Sequence, residues 1–188
     1  MNERTLARAV PSSKFGIWRC PSKWRKTRYL RMMKIMDAAS VTLSFESPLQ
    51  PQAAGLIEQL DSYLAQLYPA DSNHLLDIAA LARDCHFLVA RHDGEAVGCG
   101  ALCVHGRSYA ELKRIYVSSV ARGSGLGRMI VQQLERRARQ AGVASVCLET
   151  GIYQREALAL FRAQGFVERP PFGGYAPDPM SVFMEKGL

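Results

Sequence analysis

The chain has 188 residues, 48% of them hydrophobic and 22% charged, the size and balance of one globular domain with a real core. No apolar run approaches the ~20 residues of a membrane span, so the composition points away from a membrane partner. The net charge of +7 excludes less than it suggests: residues 1–36 hold ten of the 24 Lys/Arg against one acid, Glu3, whereas the other 152 residues hold 14 basic and 16 acidic ones. The body is near neutral, which disfavours nucleic acid as its partner.

Residues 1–36 read as a basic, disordered extension, and residues 37–188 as the domain. Three readings of the extension stay open. It is a basic arm for an anionic surface, a transit peptide broken by Pro11 and Pro21, or a stretch upstream of a true start at Met33 or Met36. The five cysteines (Cys20, Cys85, Cys99, Cys103, Cys147) are odd in number and form no Cys-x-x-Cys pair. Their pattern implies buried or free thiols in a reducing, cytoplasmic setting, with no disulfide and no zinc framework. Cys99 and Cys103 fall on one face of a strand as small apolar fillers.

In chain order, the alternation of Val41, Leu43 and Phe45 with polar residues predicts a strand over 41–46. Pro51 opens a helix to about residue 67, with Leu56, Ile57, Leu60, Leu64 and Leu67 at helical spacing. After a break at 68–73, a short helix covers about 74–83, with Ser72 or Asn73 as its N-cap. Asp93-Gly94 joins strands 86–91 and 96–104 as a hairpin. A strand over 109–117, a helix over 126–141 stopped by Gly142, a strand over 143–149, a helix over 154–164 stopped by Gly165, and strands at 166–167 and 181–185 complete the order. The class is α/β: a mixed sheet of six to seven strands flanked by about four helices.

Between the 109–117 strand and the following helix lies Arg122-Gly123-Ser124-Gly125-Leu126-Gly127. Strand, glycine turn and helix N-terminus together make an anion site, and a diphosphate fits it. The glycines are evenly spaced, which fails the dinucleotide fingerprint, and Arg128-Met129 after Gly127 fails the Walker pattern. Arg122, Gly125 and Gly127 in an Arg-x-x-Gly-x-Gly pattern resemble the acetyl-CoA pyrophosphate loop of the GNAT superfamily of N-acetyltransferases. The resemblance covers about residues 41–186. It includes Glu149-Thr150-Gly151, the helix around Ala157-Leu158-Ala159-Leu160-Phe161, and Gly165-Phe166. The stretches 67–74 and 178–186 are similar to one bacterial subfamily, a few of whose members are linked to indole-acetic acid.

The resemblance implies a mostly antiparallel GNAT-type sheet and acetyl-CoA as co-substrate, bound through Ile115, Tyr116, Val117, Arg122, Gly123, Ser124, Gly125, Leu126, Gly127 and Arg128. It implies that a backbone N–H within 115–117, near a bulge, faces the thioester oxygen. Glu111 stands where the histone-acetylating branch has its glutamate base. Phe161 stands where many members have the tyrosine that protonates the leaving thiolate, and Gln154 where an asparagine is common; both belong to the CoA-arm set. Tyr153 and Tyr175 are the candidate replacement acids. The implied substrate residues are Tyr68, Asp71, Asn73, His74, Arg114 and Tyr175, with Phe172 to Tyr175 as the opposite lip. No metal-ligand spacing occurs, so no metal is expected. The expected activity is acetyl transfer to a primary amine of a small molecule, by direct attack in a ternary complex. A protein lysine or N-terminal acceptor, and a CoA-binding module without catalysis, are the alternatives; a homodimer is left open.

Overall fold

The structure, a computed structural model, describes residues 40–69 and 77–188. The 1–36 extension, Cys20, and Asp71 to His74 lie outside the described residues. Seven strands form one sheet: β1 (Val41–Phe45), β2 (Cys85–His92), β3 (Glu95–His105), β4 (Tyr109–Val117), β5 (Ser145–Gly151), β6 (Val167–Arg169) and β7 (Ser181–Gly187). Their order is β1-β2-β3-β4-β5-β7-β6. Only β4 and β5 run parallel; the other neighbours are antiparallel. The expected fold class is met.

Helices α1 (Pro51–Leu67) and α2 (Ile78–Asp84) lie on one face, α3 (Leu126–Gln140) and α4 (Arg155–Ala163) on the other. The strand period sorts side chains between two cores. Phe87 and Val89 join Leu56, Ile57 and Leu60 of α1, while Leu88 and Ala90 join Ile130 and Leu134 of α3. A third, smaller cluster of Cys147, Phe172 and Phe183 lies where the Pro/Gly-rich 170–180 segment covers β5 and β7.

Three local expectations need correction. The α2 N-cap is Asp77, whose Oδ1 accepts from Ala79 N at 2.7 Å and Ala80 N at 3.0 Å; an aspartate directly before the apolar run outcompetes the more distant Ser72 and Asn73. Strand β5 starts at Ser145 rather than 143, because Gly142, at φ 70°, is followed by two residues that turn the chain off α3. Most consequentially, Cys85 and Cys103 form a disulfide between facing positions of β2 and β3. The Asp93-Gly94 turn, with φ of 50° and 79°, would by simple counting set Cys85 against Leu102. A bulge between Ala90 and Arg91 shifts the register by one and sets it against Cys103. The expectation of no disulfide is overturned by that bond. Cys99 and Cys147 are free and buried, as fillers.

A second bulge shapes β4. Cys99 opposes Tyr116 and Ala101 opposes Lys113, so Arg114 and Ile115 together face Gly100. Arg114, the first of these two residues, takes a left-handed φ of 57°, as the first residue of a G1-type bulge does. The bulge expected near Ile115 is present, and strand alternation breaks there. Leu112, Ile115 and Val117 pack toward α3, whereas Lys113, opposite Ala101, and Tyr116 belong to the α1 side. Glycine is required opposite the bulge: a Cβ on Gly100 would sit 2.6 Å from Ile115 Cδ1 and 2.9 Å from both Ile130 Cγ2 and Leu134 Cδ1.

Candidate active site

Strands β4 and β5 pair only from Tyr109 to Leu112 against Ser145 to Leu148. Beyond that point β5 stays paired to β7 as far as Gly151, so the two parallel strands splay and a gap opens between them. The gap is an open cleft of about 840 Å³, its solvent mouth included. Leu60, Leu64 and Tyr68 line it from the α1 side, Ala157 and Phe161 from α4.

At the closed end sits Glu111, which is 4% exposed. Its Oε1 accepts from Tyr175 Oη at 2.6 Å and lies 2.8 Å from Lys113 Nζ; Oε2 is 3.6 Å from His105 Nε2. Lys113 Nζ also donates to Tyr175 Oη at 2.5 Å. Three groups from β4 and the 170–180 segment thus close a triangle. A buried carboxylate is tolerable only when paired in this way. Burial and the adjacent Glu111 charge push the Tyr175 hydroxyl far above its ordinary value, so it stays protonated. Arg114, expected to hold substrate, lines the cleft and pairs with Asp61 of α1.

At the other end of β4 the chain passes through a single turn at Ser119–Ala121 into the glycine loop. Gly123 and Gly125 have φ of 77° and 82°. Gly125 is the N-cap of α3, no side chain caps that helix, and its first turn carries no acid. Open space surrounds the Cβ positions of both glycines. A helix N-terminus with free N–H groups, positive φ and an unobstructed approach fits a diphosphate. Arg122, Ser124 and Arg128 are exposed on the same rim. Arg122 Nε donates to Val117 O at 3.3 Å, and its guanidinium lies 5.8 Å from the Tyr63 ring. Gly127 has a packing role: its Cβ would meet Leu160 Cδ2 at 3.1 Å, so it brings α4 close to α3. Leu126 is core.

Of the remaining residues singled out from the sequence, Gln154 lines the cleft, but its Oε1 is engaged by Thr150 Oγ1 at 2.6 Å and Gly151 N at 3.1 Å. Only its amide nitrogen is left for a ligand. Phe161 lines the cleft and packs edge-on to Phe166. Tyr153 is 52% exposed and stacks on Tyr68, and it is not among the residues that line the cleft. The sequence reading passed over Leu60 and Leu64 as plain core. Their spacing of four, continued to Tyr68, was the available sign that one stripe of α1 faces a cavity.

The acetyltransferase (GNAT) family model matches residues 54–166. The chain belongs to the GNAT family of acetyltransferases. It is 52% identical over 151 residues, 79% of this chain and 99% of the relative, to an "IAA acetyltransferase" of Azospirillum brasilense. A provisionally assigned acyl-CoA N-acyltransferase from Klebsiella pneumoniae superposes with a TM-score of 0.69 at 36% identity, covering 80% of this chain and 99% of that one. A PaiA N-acetyltransferase from Thermoplasma acidophilum, solved with coenzyme A, shares the fold at 18% identity and a TM-score of 0.61, covering 79% and 99%. This GNAT enzyme is an acetyl-CoA-dependent N-acetyltransferase. No helix among its described residues is long and apolar enough to cross a membrane.

Proposed function

We propose that this acetyltransferase moves the acetyl group of acetyl-CoA onto a primary amine of a small molecule, with both substrates bound together. The observation that carries the reading is the buried Glu111 carboxylate at the closed end of the splay. From Glu111 to Val117 is six residue steps, roughly 20 Å, a span that the extended arm between diphosphate and thiol bridges. Gly123 to Gly127 and the first N–H groups of α3 hold the diphosphate, and Gln154 Nε2 meets the arm. The thioester supplies the electrophilic carbon. Glu111, directly or through one water, takes the amine proton as the C–N bond forms. Past the bulge, β4 has no β5 partner, and backbone N–H groups around Ile115 to Val117 meet the carbonyl oxygen as it gains charge.

A small acceptor is supported by the name of the 52% identical relative and by the near-neutral body, which offers no field for a polyanionic partner. Calorimetric titration of acetyl-CoA into the protein tests the reading, with Gly125→Glu as control. The variant sets an anion where the diphosphate rests, so saturable binding in the wild type should vanish while the variant stays folded, its stability lowered by only about 1–2 kcal/mol from the side chain at φ 82°. Equal binding by both proteins would move the diphosphate elsewhere. Productive binding is then followed by a primary-amine panel scored for released thiol.

A further inference from the structure

Acyl transfer leaves a thiolate that needs a proton, and this chain has Phe161 where a phenol would serve. Among the described residues, the hydroxyl groups that line the cleft are those of Tyr68, Thr150 and Tyr175. Thr150 gives its proton to Gln154 Oε1 at 2.6 Å, and Tyr175 gives its own to Glu111 at 2.6 Å. Lys113, the other proton carrier there, is held by Glu111 and Tyr175. Tyr68 differs from all of these. Its oxygen accepts from Tyr153 N at 2.8 Å, and among the described residues its own proton has no acceptor.

Tyr68 is also fixed in place. It ends α1, its N–H bonded to Leu64 O and its backbone extended ahead of Pro69. The side chain is 7% exposed, and its ring stacks on Tyr153 at 5.7 Å. It rests against Gly151, where any Cβ would overlap the phenol. A backbone N–H donating to the oxygen favours the anionic form left after proton loss, while burial keeps the group protonated in the resting enzyme, above its ordinary value of 10. A buried phenol with its oxygen anchored and its proton uncommitted is arranged as a donor.

We propose that Tyr68 is the general acid of this enzyme, donating its phenolic proton to the coenzyme A sulfur; the assignment rests on the transfer reading above. As the amine nitrogen bonds to the carbonyl carbon, the C–S bond breaks and sulfur takes its electron pair. Tyr68 Oη–H then transfers its proton to sulfur, and solvent returns one to the phenolate after coenzyme A departs.

The test needs no acceptor. The thiol of bound coenzyme A is titrated by ultraviolet thiolate absorbance in the wild type and in Tyr68→Phe, with desulfo-coenzyme A as blank. A phenol donating to sulfur stabilises the thiolate, so the bound thiol should titrate at least one pH unit higher in the variant, with calorimetric affinity for coenzyme A within about threefold. Coincident titrations would overturn the assignment. Where wild-type transfer to hydroxylamine is measurable, Tyr68→Phe should lower kcat at least tenfold, and Tyr68→Phe with Phe161→Tyr should recover part of it. A kcat within twofold of wild type, or a loss matched by equal loss of acetyl-CoA affinity, would also overturn it. Failure of both proteins to bind coenzyme A would fell the transfer reading itself, and Tyr68's role with it.

Discussion

The two halves of β4 are neighbours in sequence and opposites in physical condition. From Tyr109 to Leu112 the strand is hydrogen-bonded on both sides, and its Glu111 is buried and triply contacted. After Lys113 it bulges at Arg114, loses β5, and presents backbone to a cleft. One strand thereby offers a fixed carboxylate and an unpaired edge within a few residues of each other. The site depends on that contrast: rigidity where a proton is handled, vacancy where an elongated substrate must lie. Each of the following substitutions acts on one half or on the junction between them.

Glu111→Gln acts on the rigid half and has the largest expected effect. An amide cannot take the amine proton, and general-base catalysis is worth about 10²–10⁴ in rate. Turnover should fall about a hundredfold or more with acetyl-CoA affinity retained; unchanged turnover would remove Glu111 from the mechanism. Gly100→Val loads the junction from the opposite strand. Its new atoms meet Ile115, Ile130 and Leu134, and overpacking of this kind costs about 1–3 kcal/mol. A urea midpoint equal to wild type would mean that α3 yields freely at this point.

Tyr175→Phe should be milder. It deletes one of the contacts to Glu111 and leaves Lys113 in place, so kcat should drop less than about tenfold, the worth of a single such bond. A loss as deep as that of Glu111→Gln would make Tyr175 a reacting group in its own right. The smallest effect belongs to Arg114→Gly. Relief of the left-handed backbone at φ 57°, about 1 kcal/mol, offsets the lost pair with Asp61, worth about 0–1 kcal/mol. Thermal stability should stay within about 1 kcal/mol of wild type, and a larger drop would show that the Asp61 pair holds α1 against the bulge.

Local signals were legible in the sequence wherever one residue decides a backbone choice. Pro51 starts α1, Asp93-Gly94 turns the hairpin, and Gly125, Gly142 and Gly165 sit at helix ends with positive φ. The 109–117 strand and the glycine loop follow from patterns of the same kind. Distant coincidences were not legible. Tyr175 meets Lys113 and Glu111 across 62 and 64 positions, and nothing in alternation forecasts that the 170–180 segment folds back over β4. The Cys85–Cys103 bond turns on a single bulge, and a one-residue slip is invisible to composition and to cysteine parity alike. Tyr68 stood among the substrate residues because it lies in the link between helices; only the donor inventory of the folded cleft separates it from Thr150 and Tyr175.

The splay of β4 from β5 also bears on strand pairing between molecules. A sheet that parts in the middle acquires two extra edges, and exposed edges invite strands from other molecules. Here both inner edges are roofed: Leu60, Leu64 and Tyr68 stand on one side of the slot, Ala157 and Phe161 on the other. A peptide strand projects side chains to both faces at every second residue, and these would collide with the two walls. A slender chain without such branches escapes the collision. The same walls that shape a catalytic cleft therefore act as a filter against β-aggregation, admitting a thread and refusing a ribbon.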